Sequence, residues 1–267
     1  MKLLPSLALV LVSASAAAAE PSPTDYRAQM TVAEIQSCMR GNLAEKGSLR
    51  DISVRATDAG GEAEAFKLKL FWKPNKEGQG RMTLRLIEPS DLAGSSYLLV
   101  ESAQGESVYF YVPAAQKVQK VEGEQAQRPL WGTDFSYAEI KQVQGLMLEG
   151  ATQRGKDAAV GGRPAFVLST VPADAKAQTR KVVSYIDQES CVLVKAEFLG
   201  ADGKPRKELS ADLKTLTQLD EYWFALDYTM RDLAAGSQTQ LSMSELYLLE
   251  KVPERVFDPA SFFQPFE

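Results

Sequence analysis

The chain has 267 residues, of which 45% are hydrophobic and 24% charged, and its formal net charge is -5. These values exclude a wholly disordered chain, and thirty basic against thirty-five acidic residues exclude the basic footprint of a nucleic-acid binder. There is no histidine, which excludes Ser-His-Asp and Cys-His catalytic sets and any zinc site that needs imidazole.

The first residues read as an export signal. Met1 and Lys2 give a positive start, 3–12 is an apolar run broken only by Pro5 and Ser6, and 13–19 are small residues before Glu20-Pro21. The run is too short to span a bilayer, so residues 1–19 read as a signal peptide cut after Ala19. Residues 20–267 then form a single exported domain, which in a two-membrane bacterium works in the periplasm. Cys38 and Cys191 are the two cysteines. In an oxidising compartment an even count points to a disulfide; the alternative is two buried thiols, since nothing in the sequence fixes their distance.

After a Pro/Ser-rich leader at 20–25, Thr31-Val32-Ala33-Glu34 has the form of a capping box. Val32, Ile35, Met39 and Leu43 follow at helical spacing, so the spacing predicts a helix of about four turns stopped at Gly47. The period then changes from 3.6 to 2. Phe66, Leu68, Leu70 and Trp72 share one face of a strand, Leu84 and Leu86 one face of the next, and Phe110 and Val112 one face of a third. Further strands are predicted at 97–100, 165–171, 181–186, 193–199, 208–216, 222–230 and 240–248, with Asp202-Gly203 marking a hairpin. Lys67, Lys69, Arg81 and Arg85 alternate with these residues and read as a solvated outer face.

Residues 113–145 interrupt the strands. The segment holds Lys117 and Lys120, then Trp131, Phe135 and Tyr137, and Ser136 with Glu139 forms a second capping box that starts a short helix at Tyr137. Asp134, Ser136 and Tyr137 are the nearest approach to a proton-transfer cluster; the competing reading makes Asp134 and Ser136 helix caps. Gly161-Gly162 is a turn, because no helix follows it. The tail, with Phe257, Phe262 and Phe263, is aromatic and is expected to dock on the body. The predicted fold is mainly β: a single curled antiparallel sheet, a half-open barrel, with helices covering its mouth.

Several words in the chain carry a family likeness. They are Tyr109-Phe110-Tyr111-Val112-Pro113-Ala114, Gly132-Thr133-Asp134-Phe135-Ser136-Tyr137, Gly161-Gly162-Arg163-Pro164, Val182-Val183-Ser184-Tyr185-Ile186-Asp187, Leu193-Val194-Lys195-Ala196-Glu197-Phe198 and Val256-Phe257-Asp258-Pro259. In this order the chain resembles the outer-membrane lipoprotein-sorting proteins, relatives of the carrier LolA. The resemblance implies a half-barrel lined with apolar side chains and lidded by helices; with Asp134 and Ser136 read as helix caps, no catalysis and no cofactor are expected. The resemblance also implies carriage of a lipid or acylated lipoprotein through the periplasm, with an inner-membrane transporter of the resistance-nodulation-division type as partner. From the residues alone the apolar faces are a filled core. The resemblance implies instead that Phe66, Leu68, Leu70, Trp72, Leu84, Leu86, Phe110 and Val112 line a cavity, with Trp131, Phe135 and Tyr137 near its mouth. A non-carrying interaction or sensor module on the same fold is the alternative.

Overall fold

The computed structural model describes residues 27, 29–74, 79–121, 128–173, 179–244 and 246–265. The signal segment at 1–19 and the leader at 20–25 lie outside the described residues. In the unit Met1–Met30, the Met30 amide donates to the Arg27 carbonyl at 3.2 Å. All the elements below belong to a second compact unit, Thr31–Glu267.

Helix α1 (Val32–Arg40) opens on the predicted capping box: the Glu34 amide donates to Thr31 Oγ1 and the Thr31 amide to the Glu34 carboxylate. Ile35 and Met39 are its buried residues. The helix is nine residues long, not four turns, and it stops at Gly41 rather than Gly47. Leu43 continues the apolar spacing but no longer the helix, because the side chain of Asn42 is drawn away. Its Nδ2 donates to the Ser190 carbonyl at 2.8 Å and its Oδ1 accepts from the Trp223 amide at 2.9 Å.

The strands are β1 (Gly47–Thr57), β2 (Ala63–Pro74), β3 (Gly80–Glu88), β4 (Ser96–Ser102), β5 (Gly105–Val112), β6 (Lys117–Val121), β7 (Gly150–Arg154), β8 (Ala158–Val160), β9 (Arg163–Pro172), β10 (Lys181–Asp187), β11 (Leu193–Leu199), β12 (Pro205–Ala211), β13 (Leu216–Leu219), β14 (Tyr222–Ala225), β15 (Asp227–Asp232), β16 (Ser237–Met243) and β17 (Tyr247–Leu249). Helix α2 (Tyr137–Val143) lies between β6 and β7. Four strands go beyond the sequence prediction: β1, β6, β7 and β8. Three predicted strands are divided, because 213–215 is a 3-10 turn, β14 leaves the main sheet to pair with β13, and β16 ends before β17.

Among the described residues, fifteen strands form one antiparallel sheet in the order β6-β5-β4-β3-β2-β1-β16-β15-β12-β11-β10-β9-β7, with β17 on β1 and β8 on β9. The sheet does not close, since β6 and β7 remain its ends. It is strongly curled: Met82 on β3 and Leu193 on β11 line the same cavity, although six strand spacings of about 4.8 Å would hold them roughly 29 Å apart in a flat sheet. The fold of this unit is therefore the predicted mainly β half-barrel, with two α-helices among its described residues.

The tail docks on the outer face of β2–β6. Val252, Val256, Phe257 and Phe262 form one cluster with Phe71 and Leu98, and Phe263 stacks on Tyr111 with ring centres 4.0 Å apart. Burial on this scale is worth roughly 1.5–3 kcal/mol for each large side chain. The outer cations are only partly solvated, which corrects the reading of that face. Lys67 and Lys69 pair with Glu88 and Asp51 at the surface. Arg81 reaches Glu254 at 2.8 Å and lies over Phe257, and Arg85 donates to the Gln264 carbonyl. On the inner face a Cβ at Gly80 would fall 1.8 Å from the Trp72 ring. Gly80→Ala is therefore expected to lower stability by about 1–3 kcal/mol and to shift tryptophan emission. A variant with the wild-type urea midpoint and spectrum would refute this close packing.

Candidate functional site

Strand register places Phe66, Leu68, Leu70 and Trp72 of β2 beside Val54, Ile52, Arg50 and Ser48 of β1, and Leu68, Leu70 and Trp72 beside Leu86, Leu84 and Met82 of β3. These residues all face inward. Helix α1 covers one end of this face through Met39, and α2 covers the middle through Ile140 and Val143. Two spaces border β2 beneath the helices, beside a third of about 100 Å³ between α2 and the side chains of Phe198 and Lys207. One, of about 50 Å³, is lined by Leu70, Trp72 and Met82, with Met39, Tyr228 and Met243 opposite. The other, of about 20 Å³, lies among Phe66, Leu68, Leu84, Trp131, Phe135 and Ile140. A pocket for a small molecule is typically about 300–1,000 Å³, so in this conformation the inner face is filled by the protein itself.

The other predicted lining residues take different places. Leu86 is fully buried on the same face but borders neither space. Phe110 stacks on Tyr97 at 4.3 Å, and Trp131 and Tyr137 meet the same Tyr97 ring at 5.4 and 6.2 Å. Val112, two residues along from Phe110 on β5, is half-buried. Tyr97 is thus the centre of the aromatic cluster. Its cross-strand partners are Leu84 and Phe110, a relation that depends on register and that alternation within one strand does not express. Burial pushes the Tyr97 phenol up to about 12.

The segment before α2 folds back on itself. The Leu130 amide donates to the Phe135 carbonyl at 2.8 Å, and Trp131 and Gly132 take positive φ values of 48° and 77° to make the turn. The second capping box is present: the Ser136 amide donates to Glu139 and the Glu139 amide to Ser136 Oγ. Asp134 does not cap the helix. It accepts from Ser237 and from Thr239 Oγ1 on β16, which pins the segment to the sheet. The acid and the hydroxyl therefore serve separate partners, and the Tyr137 hydroxyl is buried without a hydrogen-bond partner among the described residues. Lys207 on β12 donates to the Asp134 carbonyl at 2.7 Å and to Glu139 at 3.2 Å, while Lys141 pairs with Glu106 on β5. Burial lifts the Glu106 carboxyl above its ordinary value despite the lysine beside it. Helix α2 is thereby tied to both halves of the sheet by charged side chains.

One inward residue lay outside the sequence reading. Arg50 is 6% exposed, its guanidinium lies 4.0 Å over the Phe224 ring, and it faces the cavity of about 50 Å³ beside Leu70 and Trp72. Its Nη1 has no hydrogen-bond partner, and among the described residues no carboxylate pairs with it. Burial pulls the guanidinium down to about 10, opposed only by the neighbouring Tyr228. The Tyr228 phenol, itself buried, is pushed well up and donates to the Leu193 carbonyl at 3.3 Å.

The end of α1 is anchored to the β10–β11 turn. Cys38 and Cys191 are bonded, with Cα atoms 5.7 Å apart, and Asn42 reaches the adjacent Ser190. Asp187 organises that turn: it is 1% exposed and accepts from Arg163 at 2.7 and 3.0 Å and from the Ser190 amide and hydroxyl at 2.8 Å each. Burial raises its pKa, but the bonds from Arg163 and Ser190 outweigh burial and hold it below the ordinary aspartate value. A carboxyl held low when folded takes up its proton more readily when unfolded. Its stabilisation is complete above about pH 5 and drains as the pH falls below about 4. Asp187→Asn is expected to lose less stability than the wild type between pH 7 and pH 3 in urea titrations; equal losses would refute the assignment.

Among the described residues no helix is long and apolar enough to cross a membrane, and no three metal-ligating side chains stand together. The curled open sheet, the two helices against its inner face and the apolar lining define the LolA-like fold of the outer-membrane lipoprotein-sorting proteins. An outer membrane lipoprotein-sorting protein domain from Vibrio parahaemolyticus superposes with a TM-score of 0.74 at 21% identity, covering 86% of this chain and 97% of that one. A DUF1329 family protein from Desulfovibrio piger gives 0.74 at 17%, covering 84% and 94%, and a LolA superfamily protein from Nitrosomonas europaea gives 0.64 at 16%, covering 86% and 98%. A family model described as "Uncharacterized protein" matches residues 78–263, and the chain belongs to that family. No curated protein matches the sequence.

Proposed function

We propose that the protein is a periplasmic carrier that holds acyl chains of a lipid or lipoprotein against the inner face of its sheet and takes no part in chemistry. One observation carries the reading. An apolar face lies under a short helix, and that helix and the turn before it are fastened by charged and hydroxyl contacts, those of Lys207 with Glu139, Lys141 with Glu106 and Asp134 with Ser237 and Thr239. These contacts are sheltered from solvent, with Glu139, Lys141 and Thr239 buried, so their release is the cost that bound cargo has to offset. The apolar contacts beneath α2 exchange for acyl methylenes at roughly 0.8 kcal/mol each. Displacement of the 128–146 segment is therefore the step that admits cargo. The chain reaches the periplasm as residues 20–267 after loss of the signal segment, and an inner-membrane transporter of the resistance-nodulation-division type is the partner that the family likeness adds.

The test is organic extraction of purified protein followed by mass spectrometry, beside titration with a fluorescent acyl probe. Co-purifying lipid and saturable probe binding are expected. Folded protein that carries no lipid and binds no probe would sink the carrier and leave the second reading, a non-carrying interaction module. The filled inner face, with spaces of only about 100, 50 and 20 Å³, is the observation that favours that second reading.

A further inference from the structure

The carrier reading leaves Arg50 without a task. A guanidinium removed from water normally has a carboxylate or several acceptors around it, because an uncompensated buried charge is strongly destabilising. Arg50 has Phe224 beneath it and an Nη1 with no acceptor. Among the described residues no acidic side chain lines the cavity it faces. The polar groups there besides Arg50 include Ser48, Asn42, Gln144, Tyr228 and the indoles of Trp72 and Trp223, of which Trp72 donates to the Ala44 carbonyl. Asn42 is committed to Ser190 and Trp223, and Gln144 to Met243. The space is about 50 Å³, room for a few water molecules and hence for a small planar anion. The remaining wall is apolar and shape-tolerant, with Met39, Met82 and Met243 around it.

The geometry leads along the strand from this point. Leu70, opposite Arg50, is followed on the same face by Leu68 and Phe66, which border the second space under α2. From Trp72 to Phe66 this face runs about 20 Å at the rise of an extended strand. An apolar chain whose charged end met Arg50 would lie along it, under the helix, without placing another charge in the core.

Resting on the carrier reading, we propose that Arg50 is the seat of an anionic group, a carboxylate or phosphate, at the end of an acyl amphiphile whose chain runs from Leu70 towards Phe66. The ligand is then an anionic amphiphile bound with its head inward, and a guanidinium is suited to it because its fork takes two oxygens of a carboxylate or phosphate at once.

The test uses the purified full chain at pH 8 with cis-parinaric acid and its methyl ester, which share the chain and differ in the charge. The acid is expected to bind at least tenfold more tightly than the ester. Arg50→Met should remove that difference and Arg50→Lys should keep part of it, with circular dichroism confirming that both are folded. The comparison of acid with ester on the wild type does not depend on either variant folding. Equal binding of acid and ester by the wild type overturns the seat while leaving the carrier. Binding of neither overturns both. An undiminished preference in folded Arg50→Met also overturns the seat. Inorganic phosphate is the last arm: failure to displace the acid at millimolar concentration is expected, and full displacement would assign the site to a free anion and overturn the amphiphile.

Discussion

Lysine in place of Leu70 is expected to unfold the protein, whereas glutamate at the same position is expected to be carried. Leu70 is 3% exposed and stands directly opposite Arg50 in the β1–β2 register, a pairing that brings Cβ atoms to about 4.5–5.5 Å. A lysine there sets a second buried cation beside one that already lacks a counter-charge, at a cost of more than about 4 kcal/mol. A glutamate loses the burial of the leucine, about 2 kcal/mol, but its carboxylate meets the guanidinium and recovers part of that loss. Urea midpoints by far-UV circular dichroism should separate the two variants by at least about 2 kcal/mol. The double change Arg50→Met with Leu70→Glu should fall back to the instability of Leu70→Lys, because the carboxylate is again alone. Equal destabilisation by lysine and glutamate would show that Arg50 offers no usable charge to its neighbour. Leu70→Glu should also bind parinaric acid no better than the ester, its own carboxylate having taken the place of the ligand's.

Breaking the bond between Cys38 and Cys191 is expected to have the next largest effect. The bond closes a sequence separation of 153 residues, and constraining so long a loop in the unfolded chain is worth about 2–4 kcal/mol. The loss falls on α1, whose nine residues are too few to stay helical unaided. In the reduced protein Asn42 alone would hold the end of α1 to the turn at Ser190. Reduction, or Cys38→Ala with Cys191→Ala, should lower the melting temperature by about 5–15 °C while the strand signal below the transition is unchanged. Oxidised and reduced protein melting within about 2 °C of each other would refute this role. Because Met39 borders the cavity that Arg50 faces, the reduced form should also lose the preference for the acid over the ester.

The elements legible in the sequence are those whose signal is local. Both capping boxes lie within four residues and form as read, at Thr31 with Glu34 and at Ser136 with Glu139. The strands with alternating apolar faces, such as β2 and β3, were equally plain. Strand β1 was hidden because two of its five inward residues, Ser48 and Arg50, are polar, so the alternation reads as noise. Strand β6 was hidden for another reason. It is an end strand bearing Lys117 and Lys120, and exposed ends of sheets are commonly charged, which protects them from unwanted pairing. The length of α1 was overread because Leu43 keeps the helical spacing after the Asn42 side chain has turned to Ser190 and Trp223. In the site, the apolar residues of β2 and β3 were legible, while Tyr97 and Arg50 were not. Tyr97 acquires its place through register with Leu84 and Phe110. Arg50 is an inward charge, and pattern reading discounts such a residue.

The tail on the outer side of the sheet has a consequence for how the molecule breathes. Strand β3 has apolar contact on both sides: the inner face with Met82 and Leu84, and the outer face under Val256 and Phe262, where Thr83 donates to the Val256 carbonyl at 2.5 Å. The half around β10 and β11 carries partly exposed residues such as Tyr185, Lys195 and Glu197 on its outer side. Amide exchange with deuterated solvent needs backbone opening, and opening is hardest where dry packing lies on both sides. The slowest amides should therefore cluster at Thr83 and its neighbours on β2 and β4, the exchange rate rising towards β10, so that trimming the chain after Leu249 would release the most protected strand rather than a terminal appendage.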